Sequence, residues 1–214
     1  HQKDGKGGVI WFTQGSGKSL LALFYVIALR DRPEFQNPTI VLVTDRNDLD
    51  GQLFETFADS SWSLRATPEQ ANSREELRAL LSSVQAGGIY FTTINKFAPD
   101  VGQTSVPVLC DRPNVVVIAD EAHRTQYGFK ADLDAKTGKT KYGLAKYMRE
   151  SLPKAIYLGM TGTPVSLDDR DTENVFGRYV DIYDMIAAQE DEAVVPVSYE
   201  SRIIELSFNE AQKQ

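Results

Sequence analysis

One cysteine, Cys110, stands in 214 residues. No internal disulfide can form, so the fold must hold by packing, and a lone thiol fits a reducing compartment and reads as a small buried hydrophobe. No apolar run reaches the ~18 residues that a membrane span needs, and no signal-peptide pattern opens the chain. Net positive charge is lacking too. Lys and Arg number 23 against 30 Asp and Glu, leaving −7, which argues against a non-specific nucleic-acid binder held by overall charge. Internal repeats and low-complexity tracts are absent. A last absence is local: a glycine is missing at position 12, where phenylalanine stands.

Position 12 matters because it lies at the entry to a glycine-rich turn. Gly8-Val-Ile-Trp-Phe-Thr13 enters Gln14-Gly15-Ser16-Gly17-Lys18-Ser19, and ten apolar residues, Leu20 to Leu29, come next. The order reads strand, phosphate loop, helix. Glycines let successive backbone N–H groups converge on one anion, and the helix N-terminus adds its dipole. Lys18 is placed to reach β- and γ-phosphates and Ser19 to offer Mg²⁺ a hydroxyl. With Phe12 in place of the first loop glycine, the match is to the shorter Gly-Ser-Gly-Lys-Ser core. The Lys18–Arg30 helix is apolar on all sides, which predicts full burial.

Further strands are expected at Thr39–Thr44, Ile89–Thr93, Val115–Ala119 and Ala155–Leu158, with a short one over Ser63–Thr67. Their unbroken β-branched runs suit a sheet covered on both faces. Asp45 to Asp48 offer caps for a helix over Leu49–Phe57. Ser73-Arg-Glu-Glu76 has the form of a capping box, with Leu77, Leu80, Leu81 and Val84 at helical spacing and Gly87-Gly88 as the stop. Helices are also expected near Tyr142–Ser151 and within Asp181–Gln189. Between Ala98 and Asn114, and near Lys130–Lys141, loops are expected, and Val194–Leu206 reads as extended. Alternating strands and helices give an α/β fold: three layers around a mostly parallel sheet, with ligands beyond the strand carboxyl ends. The length suits one large domain or two small ones.

Asp120-Glu121-Ala122-His123 follows the most apolar strand directly. An acid at a buried strand's tip can hold Mg²⁺, and the next carboxylate can orient or deprotonate water. Thr161-Gly162-Thr163-Pro164 follows another strand and places two hydroxyls at the same end. Charge is uneven. From Arg124 to Arg149 seven Lys or Arg face two acids, and from Asp168 to Glu192 nine acids face two arginines. Either run is a solvated face or a contact surface.

In that order, Gln14–Ser19, Asp120–His123 and Thr161–Pro164 resemble motifs I, II and III of superfamily 2 helicases and translocases. Gly8–Leu20, Val43–Leu49, Thr92–Phe97, Asp120–Gly128, Phe176–Tyr183 and Val195–Arg202 are similar, more narrowly, to the motor (R) subunit of type I restriction enzymes. The resemblance implies a RecA-like P-loop NTPase domain over residues 1–192. Residues 193–214 would begin the connection towards a second RecA-like domain. It implies ATP and Mg²⁺ as cofactors. Gln14, Gly15, Ser16, Gly17, Lys18 and Ser19 would hold the nucleotide, and Ser19 with Asp120 the metal. Lys18, Asp120 and Glu121 would carry the chemistry. His123, Thr161, Gly162 and Thr163 would couple hydrolysis to motion. Arg46, Thr93 and Lys96 would lie along a DNA backbone.

The implied activity is ATP-driven translocation on double-stranded DNA in a prokaryotic cytoplasm, alongside methylation and specificity subunits and with no membrane partner. Cleavage would belong to a nuclease domain not found in these residues, so the chain reads as a fragment. Three other readings stand beside it: another superfamily 2 helicase or remodeller, a P-loop small-molecule kinase, and a non-catalytic nucleotide-binding module.

Overall fold

Thr39-Ile-Val-Leu-Val-Thr44 shows how the fold is organised. From Thr39 to Val43 every side chain is buried. Ile40 and Leu42 join one apolar cluster, Val41 and Val43 another. Alternate residues of a strand point to opposite faces, so this run must sit in a sheet covered on both sides. The structure is a computed structural model that describes residues 5–44, 51–100, 103–122, 131–133, 140–162 and 175–196, with residues 131–133 and 140–142 as backbone.

Among the described residues the central sheet has seven strands. They are β1 (Lys6–Phe12), β2 (Thr39–Thr44), β3 (Glu69–Gln70), β4 (Ile89–Thr93), β5 (Val115–Ala119), β8 (Ile156–Thr161) and β9 (Tyr179–Tyr183). Their order is β3-β4-β2-β5-β8-β1-β9, and every pairing is parallel. A separate antiparallel pair, β6 (Ala131–Leu133) and β7 (Thr140–Tyr142), occupies part of the stretch expected to be loop. Helices α1 (Lys18–Arg30), α2 (Gln52–Asp59) and α3 (Ser61–Leu64) cover one face through Leu23, Val26, Phe57 and Leu64. Helices α4 (Arg74–Ser83) and α5 (Leu144–Ser151) cover the other through Leu77, Leu81 and Met148. A further short helix, α6 (Met185–Glu190), follows β9. The three-layer α/β expectation holds.

Several local expectations change. Helix α1 is not buried all round: Leu20 is 51% and Phe24 63% exposed. A helix lying on a sheet buries one side only, and here the outward stripe is apolar. Residues 63–67 form no strand; Ser61–Leu64 is helical and ends at Arg65 in the left-handed region. Only Leu64 of that helix is buried, so no alternation exists to sustain a strand. Helix α2 starts at Gln52 behind Gly51, which offers no side-chain cap, and residues 45–48 lie outside the described residues. Half of the capping box at Ser73 is present: Ser73 Oγ accepts from Glu76 N at 3.0 Å, while Glu76 Oε2 accepts at 2.8 Å from Asn72 N, one residue before the cap. Helix α4 nevertheless stops at Ser83, before the glycines. Gly87 instead donates to Asn37 O at 2.6 Å and turns the chain into β4. Of the expected Val194–Leu206 segment, residues 197–206 lie outside the described residues.

Tyr157 on β8 braces α5. Its hydroxyl donates to Leu152 O at 2.9 Å and Met148 O at 3.1 Å, and the Arg149 guanidinium stands 4.4 Å from its ring centre. Burial pushes its phenol far above the ordinary value. Tyr157→Phe should cost about 1 kcal/mol, the net worth of a buried hydrogen bond. Urea unfolding of the two proteins measures it, and equal midpoints would deny the brace any energetic role.

Candidate nucleotide-binding site

The phosphate loop hangs between β1 and α1. Gly15 has φ +86° and Gly17 φ +98°, left-handed values that side chains resist. A Cβ at Gly17 would meet nothing within 4 Å, so the loop's outer side is open and backbone geometry alone requires the glycine. Ser16 is turned inward, its Oγ donating to Thr13 O at 2.5 Å. Helix α1 begins at Lys18, and Leu21 N bonds Gly17 O at 3.0 Å.

Lys18 does not point into solvent. Its Nζ lies 2.8 Å from Asp120 Oδ1 and 2.5 Å from Glu121 Oε1, with 19% of the side chain exposed. Burial by itself lowers this ammonium's pKa, but Asp120 and then Glu121 outweigh it and leave the pKa above the ordinary 10.5. Neighbouring residues in a strand point opposite ways, so two adjacent carboxylates should not meet one cation. The backbone solves this with a tight turn after β5. Glu121 takes φ +52°, and its N–H donates to Asp120 Oδ1 at 2.9 Å. Asp120 N is held by Val43 O and Ala122 N by Met160 O, so β2 and β8 both fix the turn. A non-glycine residue in that region carries backbone strain, a common feature of functional turns. The sequence contains the acid pair but no sign of this turn.

Thr161 ends β8 beside Trp11 of β1 and is fully buried. Gly162 follows against the loop, where a Cβ would lie 3.7 Å from Gln14 N. The first and third motifs therefore touch. His123, Thr163 and Arg46 lie outside the described residues. Thr93 is 1% exposed, and its hydroxyl has no hydrogen-bond partner among the described residues. Lys96, half-buried in the turn Ile94–Phe97, comes closer to the surface. Arg74 organises that turn, a role the sequence did not disclose. Its guanidinium bonds Lys96 O at 3.2 Å and Asp100 Oδ1 at 3.3 Å, and also Ala98 O.

Phe12, the residue in place of the expected loop glycine, has a structural reason. It stacks on Tyr183 of β9 with ring centres 4.6 Å apart, and Thr13 N bonds Tyr183 O at 2.9 Å. The aromatic pair pins the start of the loop to the sheet's last strand.

The donors suit a nucleotide with a hard divalent cation. Lys18, Ser19 and Asp120 border one crevice with Leu42 and Ile118. One hydroxyl and one or two carboxylates fit Mg²⁺, which keeps waters and takes its remaining ligands from phosphate. Among the described residues no cluster of three His, Cys, Asp or Glu is assembled. Nor is any described helix long and apolar enough to cross a membrane.

The chain is 52% identical over 197 residues to the endonuclease subunit of type I restriction enzyme HindI from Haemophilus influenzae, covering 92% of the chain and 18% of that protein. It is 38% identical over 204 residues to a Methanocaldococcus jannaschii endonuclease subunit assigned to type I restriction enzyme MjaIXP, covering 95% of the chain and again 18% of the relative. The chain thus spans under a fifth of the length of these relatives. Among solved structures, the Hef helicase domain of Pyrococcus furiosus matches with TM-score 0.53 at 18% identity, covering 93% of this chain and 40% of that one. That likeness concerns the fold. The model of the SWI2/SNF2 ATPases matches residues 1–214 from end to end, and the chain belongs to that family.

Proposed function

We propose that this chain is the first motor domain of a type I restriction endonuclease subunit, coupling ATP hydrolysis to translocation on double-stranded DNA. The observation that carries the reading is the single ammonium of Lys18 held between Asp120 and Glu121 beneath the Gly15–Gly17 loop. In this arrangement the two carboxylates hold the place of phosphate charge. When β- and γ-phosphates enter the loop, Lys18 turns from the acids to them. Glu121 would then orient and deprotonate water, and Asp120 would ligate metal. Mg²⁺, held by Ser19 and Asp120, would supply charge neutralisation on the phosphate oxygens. Thr161, Gly162 and the adjoining Thr163 and His123 would pass the change to the rest of the protein. Residues 193–214 would lead towards a second RecA-like domain. DNA cleavage, methylation and sequence choice would lie in other domains and subunits.

The deciding experiment is ATP turnover and triplex displacement by the full-length subunit with its methylation and specificity partners on double-stranded DNA. Turnover stimulated by DNA and strand-tracking displacement are expected. Transfer of phosphate to a small acceptor, with no DNA dependence, would replace the motor by a kinase. DNA contact has its own signature. Binding should weaken as salt rises, and Lys96→Ala should reduce the slope of log K against log salt by about 1. An unchanged slope would remove Lys96 from the DNA path.

A further inference from the structure

Of the nine large apolar side chains exposed among the described residues, five fall in one stretch: Val180, Ile182, Met185, Ile186 and Val195. Single exposed apolar residues need no explanation, but five of them along one short stretch at a sheet edge call for one. The group lies on β9, on α6 and just beyond. Strand β9 ends the sheet; it pairs with β1 on one side and with no other described strand. An open edge with apolar neighbours is a template for association unless something covers it. Along the same stretch the exposed acids are Asp181, Glu190, Asp191 and Glu192, against one exposed arginine among the described residues, Arg178.

This surface is tied to the start of the phosphate loop at one end and lies near Gly15 at the other. Tyr183 stacks on Phe12 and accepts from Thr13 N, and its hydroxyl donates to Asp191 Oδ2 at 3.0 Å. After α6, Ala193 N and Val194 N both bond Ala188 O, which brings Val194 within 3.8 Å of where a Gly15 Cβ would lie. Whatever covers β9 and α6 therefore touches the elements that shape the loop.

We infer that the β9–α6 face is a docking surface for another part of the same subunit, one presenting apolar side chains rimmed by lysine and arginine. The inference rests on the proposed reading of the chain as one domain of a longer motor. Two observations select this occupant. First, the related endonuclease subunits are more than five times longer than this chain, which covers 18% of them. A surface on the same polypeptide is present at high effective concentration without any separate association step. Second, the rim is acidic. Two copies meeting face to face would set these carboxylates against each other, which disfavours self-association, while a basic rim complements them.

The test uses the full-length subunit with a benzophenone amino acid at Ile186, and a control with it at Trp62, which is 90% exposed on α3. Photolysis should link position 186, not 62, to a lysine- or arginine-bearing peptide of the same polypeptide outside residues 1–214. Links only between two copies, links to another subunit, or none above the Trp62 control would each overturn the inference. A second variant, Ile182→Glu with Ile186→Glu, should raise native-state protease cleavage of the full-length subunit about tenfold, by opening the docked face. Unchanged cleavage would count against it. Turnover of ATP by the unaltered subunit is read in parallel. An intramolecular link in a subunit that hydrolyses no ATP would remove the motor and keep the docking. Turnover without the link would do the reverse.

Discussion

Lys18→Ala in the full-length subunit should abolish translocation and weaken nucleotide binding about 10- to 100-fold, the range set by losing a charge-assisted contact of about 1.5–3 kcal/mol. The same cation would serve two partners: its Nζ lies against Asp120 and Glu121, and with nucleotide it would hold phosphate. Its removal therefore also leaves two adjacent carboxylates without the charge between them. This has a signature in stability. The Lys18 pKa is raised on folding, so its contribution is complete below 10.5 and fades as pH climbs through the higher folded value. Thermal unfolding of the wild-type domain should lose a component at alkaline pH that Lys18→Ala lacks. Near-normal movement along DNA by the alanine variant would overturn the phosphate-loop assignment, and identical alkaline limbs would deny the ion pair a part in stability.

Much of this could be seen in the residues, for physical reasons that differ by element. Strands β2, β4 and β5 are buried on both faces, so their continuous apolar runs stood out from polar surroundings. The Ser73 cap was legible because its bonds are local. Strand β9 was not: of its five residues, Val180, Asp181 and Ile182 are exposed, an edge pattern that resembles neither a buried run nor clean alternation. Helix α3 was misread because four residues carry too little periodicity, and its one buried side chain, Leu64, suits either conformation. Helix α1 shows the limit of composition. Apolar residues on every side imply burial on every side, yet the sheet covers one face, and Leu20 and Phe24 remain in solvent.

The site divides in the same way. Lys18, Asp120 and Glu121 were named as a group because each follows a strand, and a parallel sheet gathers strand ends. Their convergence on one ammonium depends on the φ of Glu121, which no residue pattern announces. Arg74 was invisible for a related reason. Its partners are mainly carbonyl oxygens of the turn it holds, and backbone acceptors leave no mark in sequence. Phe12 is the reverse case. It stood out as a departure from the phosphate-loop pattern, but only its stacking on Tyr183 explains why an aromatic ring occupies that position.

Glu121→Gln separates binding from chemistry. The amide keeps the size of the side chain and the backbone turn at φ +52°, and Asp120 remains 2.8 Å from Lys18. The loop should stay formed and ATP should bind about as before. What is lost is the carboxylate that would take a proton from the attacking water, a contribution of about 10²–10⁴ in rate. The full-length variant should therefore hold ATP, bind DNA and stall. Filter binding of labelled ATP reads the first property, and phosphate release under single-turnover conditions reads the last. The pairing with Lys18→Ala matters: one variant fails to hold nucleotide firmly, the other holds it and cannot use it. Lost binding in the glutamine variant would assign Glu121 to nucleotide capture. Hydrolysis near the wild-type rate would move the general base elsewhere and leave Glu121 as the partner that keeps Lys18 in place between turnovers.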